Sequence, residues 1–254
     1  MKKRVFIAFV ILASFLCAIS TSMSQPVPKV AKWSSVTGKP EITVGDAGYT
    51  TFAAAVAAIG STPTTLVVPS GNHVADNITV PATLALRVLN GANLTVADSA
   101  AVHTVGTGLS DLTPGGPTSQ TAGNFYTFKI STAAGTDKFK WKRNTSAYSA
   151  EISMTGTAQT IALGLTVTWG ATTGHTLNDE WTVTPKVLTI NGSYDAGSYQ
   201  TFTCAGVGHV IFGVGAVSQL DARWWGGVWD GITDDSSAIN AALTCALAAK
   251  TPVL

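Results

Sequence analysis

Charge is scarce in this chain. Lys, Arg, Asp and Glu make up only 11% of its 254 residues, while Gly, Ala, Thr and Val abound. That balance excludes a charged, disordered polymer and suits a β-rich, turn-rich architecture of one or two domains. Without Lys2, Lys3 and Arg4, 12 basic residues face 14 acidic ones, a net of −2. The composition therefore offers no basic patch of the kind nucleic-acid binding requires. Cysteine is limited to three residues, with no CxxC and no His/Cys cluster, so no metal site is expected. Cys204 and Cys245 can pair in an oxidising compartment or pack as buried free thiols, and the sequence does not choose between them. His73, His103, His175 and His209 are scattered, which favours solvated or structural roles.

Long apolar runs are missing except at the start. Lys2, Lys3 and Arg4 precede an apolar stretch over residues 5–19, and Ser22-Met23-Ser24 offers small residues before Gln25. This pattern predicts a signal peptide over 1–24 and a bacterial protein that is secreted or held at the cell surface. The stretch is short for a stable membrane span. Residues 25–40 read as a linker.

Residues 41–105 then carry a helix over 50–59, with Phe52, Val56 and Ile59 on one face, followed by brief strand-like runs such as TTLVVPSG, ADNITVP, ATLALRVLNG, ANLTVADS and AVHTVG. Short β-rich runs bounded by Gly, Pro, Asn or Asp fit stacked coils that bury one continuous core. The texture changes over 106–185. Phe139-Lys140-Trp141-Lys142 and Leu163-x-Leu165-x-Val167-x-Trp169 alternate with the period of half-buried antiparallel strands, which predicts an inserted small β-sandwich. Coil texture resumes over 186–222, where residues 187–190 and 209–212 are strand-like.

The segment over 223–254 contains WWGGVWDGITDDSSAINAAL. Asp230-Gly231 signals a turn, and Thr233 or Asp234 can cap a helix whose apolar face is Ile239, Ala242, Leu243, Ala246 and Leu247. Trp224, Trp225, Gly226, Asp230, Gly231, Thr233, Asp234, Asp235, Ala238 and Ile239 together resemble the opening motif of the pectate-lyase superfamily, in which a helix caps a right-handed parallel β-helix. The chain departs at Trp229, where that family usually has Gly, and at Ser236. The resemblance implies the N-terminal coils of such a β-helix with an inserted sandwich and a capping helix at the start of a domain that is cut short at residue 254. The inserted block is similar to a repeat module of phage and bacterial surface proteins, through its TPGG start at 113–116, the Phe139-Lys140-Trp141 centre and TTGHTLNDEWT over 172–182.

The three aspartates Asp230, Asp234 and Asp235 suggest acid–base or calcium chemistry, but turn and helix-cap roles explain them more simply. No catalytic residue is assigned. Calcium is a cofactor that the resemblance implies only for a full-length lyase. Arg87, Arg143 and Arg223 are the arginines outside the signal, and a cation–π role beside Trp224 and Trp225 suits Arg223. Trp141, Tyr148, Trp169 and Trp181 could form a sugar-stacking platform, although strand alternation favours the core for Trp141 and Trp169. The full-length form is expected to bind polysaccharide or to degrade it as a lyase or glycoside hydrolase, with this portion inactive by itself. The rivals are a non-catalytic adhesin and a tailspike relative, and a tailspike-like chain would form a homotrimer. Nucleic acid is not an expected partner.

Overall fold

The computed structural model describes residues 40–116, 123–249 and 253, all within the compact unit Trp33–Leu254. The expected signal peptide and nearly all of the expected linker lie outside these residues. The fold is mainly β. In chain order the first elements are β1 (Glu41–Thr43), α1 (Phe52–Ile59), β2 (Thr64–Val68), β3 (Gly71–Val74), β4 (Ile78–Val80), β5 (Leu84–Val88) and β6 (Ala92–Val96). The next group is β7 (Val102–Val105), β8 (Leu112–Gly115), β9 (Tyr126–Thr132), β10 (Lys138–Arg143), β11 (Ile152–Ser153), β12 (Gln159–Ala162), β13 (Leu165–Trp169) and β14 (Glu180–Val183). The chain continues through β15 (Val187–Ile190), β16 (Tyr194–Ala196), β17 (Phe202–Cys204), β18 (His209–Phe212), a 3₁₀ turn (Ala222–Trp225) and α2 (Ser236–Ala249).

Helix α1 starts where the Thr51 hydroxyl accepts the Ala54 N–H at 3.1 Å, an N-cap that satisfies one orphan donor of the first turn. Phe52, Ala55, Val56 and Ile59 are its buried residues, the i, i+3, i+4, i+7 stripe of an amphipathic helix.

The strands outside β7–β14 stack by parallel pairing. β2 pairs with β5 and β5 with β16. β3 pairs with β6 and β6 with β17. β4 pairs with β15 and β15 with β18. The registers line up buried side chains in columns: Leu66, Leu86 and Tyr194 form one, and Val80, Ile190 and Phe212 another. The core changes along these columns from aliphatic to aromatic. Tyr194, Phe202, Phe212, Trp224 and Trp225 meet at ring centroid distances between 4.9 and 6.4 Å. Stacked turns approach closely at Gly192, where a Cβ would overlap Leu84 O and stand 2.7 Å from Pro81 O.

Strands β7–β14 form two antiparallel sheets, ordered β11-β10-β9-β14-β7 and β12-β13-β8, around one shared core. The block lies between β6 and β15 and is tied at both ends to one turn. Asp76 accepts the Ala97 N–H at 2.8 Å and the Lys186 ammonium at 2.8 Å. The neighbouring Asn77, at φ 54°, accepts the Val187 N–H at 3.3 Å. Val207, from the turn between β17 and β18, is buried in the block's core.

Three details differ from the sequence reading. β7 pairs with β14, so residues 102–105 belong with the block and not with the leader ending at 105. Composition could not place this run, because only its pairing partner distinguishes it from a coil strand. Leu163 sits in a turn at φ 51° and is 47% exposed, so the alternating pattern begins at Leu165. In α2 the buried residues are Ala238, Ala242 and Cys245, while Leu243 is 46% exposed. The helix is rolled away from the expected leucine face. Small residues let it lie close to β18, where the Cys245 thiol donates to Val210 O at 2.7 Å. The Leu247 side chain lies outside the described residues.

Candidate functional site

Two regions hold the residues singled out by sequence, and the first is the segment leading into α2. Asp221 caps the 3₁₀ turn by accepting the Arg223 N–H at 3.0 Å. Gly226 closes the turn at φ 94° in the left-handed region, where a side chain would be strained. Trp224 is buried, and its indole N–H donates to Gly197 O at 3.0 Å. The Arg223 guanidinium pairs with Asp221 at 2.7 Å. This replaces the expected cation–π role: a carboxylate two residues away satisfies the fork-shaped donor better than a ring face does.

The aspartates that follow organise backbone. Asp230 accepts the N–H groups of Ile232 at 2.9 Å and Thr233 at 2.7 Å, and also the Thr233 hydroxyl at 2.9 Å. Asp234 accepts the Ser236 N–H at 2.9 Å. Asp235 turns backwards and accepts the N–H groups of Val228 and Trp229 at 2.8 and 2.9 Å, while its carbonyl receives the Ile239 N–H at 3.0 Å. The helix begins at Ser236, so Asp235 stands at the cap position and Asp234 one residue before it. Gly231 takes φ 73° and Ala238 is buried.

Trp229 occupies φ 59° with half of its surface exposed. A left-handed backbone costs a non-glycine residue about 1–2 kcal/mol, so glycine would suit this position better than tryptophan. Trp229→Gly is expected to raise stability by about 0.5–1 kcal/mol, after the roughly 0.5–1 kcal/mol that glycine loses to unfolded-chain entropy. Urea denaturation checks this, and a lowered midpoint would refute it.

Three carboxyls of the segment titrate below the ordinary range. Burial opposes ionisation of Asp221, but hydrogen bonds from the Arg223 side chain and backbone, together with its charge, outweigh it. Backbone donors from Thr233 and Ile232 hold Asp230 low, and hydrogen bonds from Ser236 hold Asp234 low. A depressed folded-state value stabilises above the unfolded value, near 3.9, and that stability is lost as pH falls through the folded value. The segment is therefore expected to keep its tertiary signal from pH 7 down to about 4 and to lose it below. Near-UV circular dichroism of the tryptophans reads this, and an unchanged spectrum at pH 2 would contradict it.

A cavity of about 460 Å³ opens between α2 and β17–β18, lined by Cys204, His209, Trp225, Ser236, Asn240 and Cys245 among others. Both cysteines are free thiols. Burial pushes Cys204 up to about 12, and burial together with the neighbouring Cys204 raises Cys245. Neither is a reactive thiolate at neutral pH.

The antiparallel block is the second region. Trp169 and Trp181 are fully buried and cannot offer a face to a sugar, so the four-ring platform does not form. Aromatic area belongs in the core of so small a block. Trp141 and Tyr148 are partly exposed. Tyr148 donates to Glu180 at 3.2 Å, and the Lys142 ammonium lies 4.7 Å from its ring centroid. Burial, then the Glu180 charge, raises the Tyr148 hydroxyl, keeping it a neutral donor.

A polar network inside this core was missed from sequence. The His175 side chain is fully buried, with Nδ1 3.0 Å from Asp137 and Nε2 2.9 Å from Asp111. Asp137 also accepts the His175 N–H at 2.9 Å, and Asp111 accepts the Ala171 N–H at 2.6 Å. The Trp169 ring meets the imidazole edge-on at 5.1 Å. Nearby, Asp179 accepts the Gly108 N–H at 2.8 Å, and His103 stacks on Trp181 at 4.3 Å. His103 Nε2 stands 3.4 Å from Asp179 but without the alignment of a hydrogen bond. The TTGHTLNDEWT run over 172–182 thus supplies His175, Asp179 and Trp181 to the interior. Asp111 and Asp137 lie at opposite nitrogens of one ring, so they do not converge on a single point. Among the described residues no three His, Cys, Asp or Glu side chains gather as metal ligands would. No helix among them is long and apolar enough to cross a membrane.

No protein-family model, curated protein or solved structure matches the chain.

Proposed function

We propose that this chain forms the opening coils of an exported, right-handed parallel β-helix of pectate-lyase type. In this reading the antiparallel block is carried on one coil, and the protein binds polysaccharide at the cell surface or outside it. One observation carries the reading: three sets of strands, β2-β5-β16, β3-β6-β17 and β4-β15-β18, pair in parallel through matching registers. A solenoid buries its core by this kind of nearest-neighbour stacking. The WWGG…DGITDD motif supplies the family, and the polymer substrate follows only by analogy of fold, since function resides in sites.

The aspartates of that motif act as turn and cap groups, so the chain is expected to retain polysaccharide without cleaving it. Affinity electrophoresis of the full chain through gels containing acidic and neutral polysaccharides tests retention, with assays for new reducing ends and for unsaturated products alongside. Retention without products agrees with the proposal. Chain cleavage would assign it an enzymatic role instead, and free migration in every gel would overturn it.

A further inference from the structure

The outer face of the five-stranded sheet carries charge that the composition conceals. Along β10, Phe139 is buried in the block's core and Trp141 packs against it. Alternation therefore sends Lys138, Lys140 and Lys142 outward, about 6.6–6.8 Å apart along the strand. On β9, Tyr126, Phe128 and Ile130 point inward, which places Lys129 outward. The register sets Lys140 directly opposite Lys129, with Glu180 opposite Lys129 on the far side.

Like charges directly opposed across a sheet are unfavourable. Two carboxylates moderate the clash: Lys129 lies 3.3 Å from Glu180, and Glu151 lies 3.7 Å from Lys138 and 3.8 Å from Lys140. Three lysines therefore share two glutamates, and the fourth, Lys142, rests over the Tyr148 ring. The next row across the sheet is Lys142, the buried Thr127 and Thr182. It leads toward a cleft of about 530 Å³ at the base of the block, lined by Asp98, Ser99, Thr104, Thr182, Thr184 and Lys186 among others.

We propose that this face is a docking surface for an anionic polysaccharide, whose acidic groups sit among Lys129, Lys138, Lys140 and Lys142 and whose hydroxyls meet Thr182 and the cleft. Charge complementarity carries the assignment. The face holds an excess of two positive charges in a protein whose charge is otherwise near balance, and the glutamates already show that carboxylates sit within ion-pair distance of these ammonium groups. Thr104, Thr182 and Thr184 continue the surface into the cleft. Tyr148, capped by Lys142 and bonded to Glu180, is poorly placed for the serial base stacking that single-stranded nucleic acid uses. The proposal takes its polymer class from the polysaccharide-binding reading above, while the site is assigned by the lysines.

Dextran sulfate and neutral dextran share one backbone and differ in charge. The full chain is expected to bind dextran sulfate and not dextran, with affinity falling steeply as salt rises, because small cations are released when ammonium groups meet the polymer. The triple substitution K138Q/K140Q/K142Q is expected to weaken binding at least tenfold with an unchanged near-UV spectrum. The matching K138R/K140R/K142R keeps the charge and is expected to bind within twofold of wild type. Should the glutamine triple misfold, K142Q alone, at a lysine with no carboxylate contact in the sheet, is expected to weaken binding about threefold. Equal binding of dextran sulfate by wild type and glutamine variants would overturn the site while leaving polysaccharide binding standing. Binding of dextran alone would do the same. No binding to either polymer would overturn the site and, with free migration in every gel, the broader reading too. Tighter binding to oligothymidylate than to dextran sulfate at equal salt would reassign the face to nucleic acid.

Discussion

His175→Ala is expected to destabilise the antiparallel block by about 3 kcal/mol, because removing one partner of a buried hydrogen-bond network costs about 1–3 kcal/mol for each group left unsatisfied. The imidazole is fully buried and spans Asp137 and Asp111. Its removal leaves two carboxylates facing a hollow, with only the backbone donors of His175 and Ala171 still in place. An uncompensated buried charge costs more than the lost contact itself. The ring also touches Trp169 at 5.1 Å and Trp181 at 6.2 Å, measured between centroids, so tryptophan emission in a denaturant titration reports the change directly. His175→Gln can donate to only one carboxylate through its amide and is expected to fall between wild type and alanine. A shift below about 1 kcal/mol for the alanine variant would show that the network is not what holds the two sheets together.

Gly192→Ala is expected to cost about 3 kcal/mol, at the upper end of overpacking effects. The added methyl would overlap Leu84 O and press on Pro81 O. Both obstacles are backbone of the adjacent layer, so relief requires the layers to separate. That separation would strain the Leu86 N–H to Ser193 O bond of 2.8 Å and the Tyr194–Leu86 register. For a unit of this size the melting midpoint should fall by roughly 6–12 °C. Gly135→Ala serves as the control for adding a methyl, because a Cβ there meets nothing within 4 Å, although its φ of 68° still carries backbone strain. If Gly192→Ala lowers the midpoint no more than Gly135→Ala does, the close approach of the layers is not what constrains position 192.

Local features were legible in the sequence and distant partnerships were not. The first helix, its buried Phe52, Val56 and Ile59, and the strand runs near 64–68, 84–88 and 92–96 follow from periodicity and turn residues alone. β16 and β17 are three residues each, too short to show a period. The pairing of β5 with β16 spans more than a hundred residues and the whole block. The His175 network unites residues 38 and 64 positions apart, and no spacing rule connects them. The roll of α2 was hidden for a different reason. Hydrophobicity favoured the leucine face, whereas close packing against β18 favoured the alanines. The lysine face was in plain view as K-F-K-W-K-R, but whole-chain charge averaged it away until the register set Lys140 beside Lys129.

Asp76 and Asn77 hold both ends of the block at neighbouring points on one turn. The chain therefore leaves the stack and rejoins it across the same threshold, and the distance travelled in between makes no difference to the layers below. The block behaves as a cartridge. Lengthening it, exchanging it or deleting it is expected to leave the register of the parallel strands in place, and Val207, buried in the block's core, would then have to find new cover.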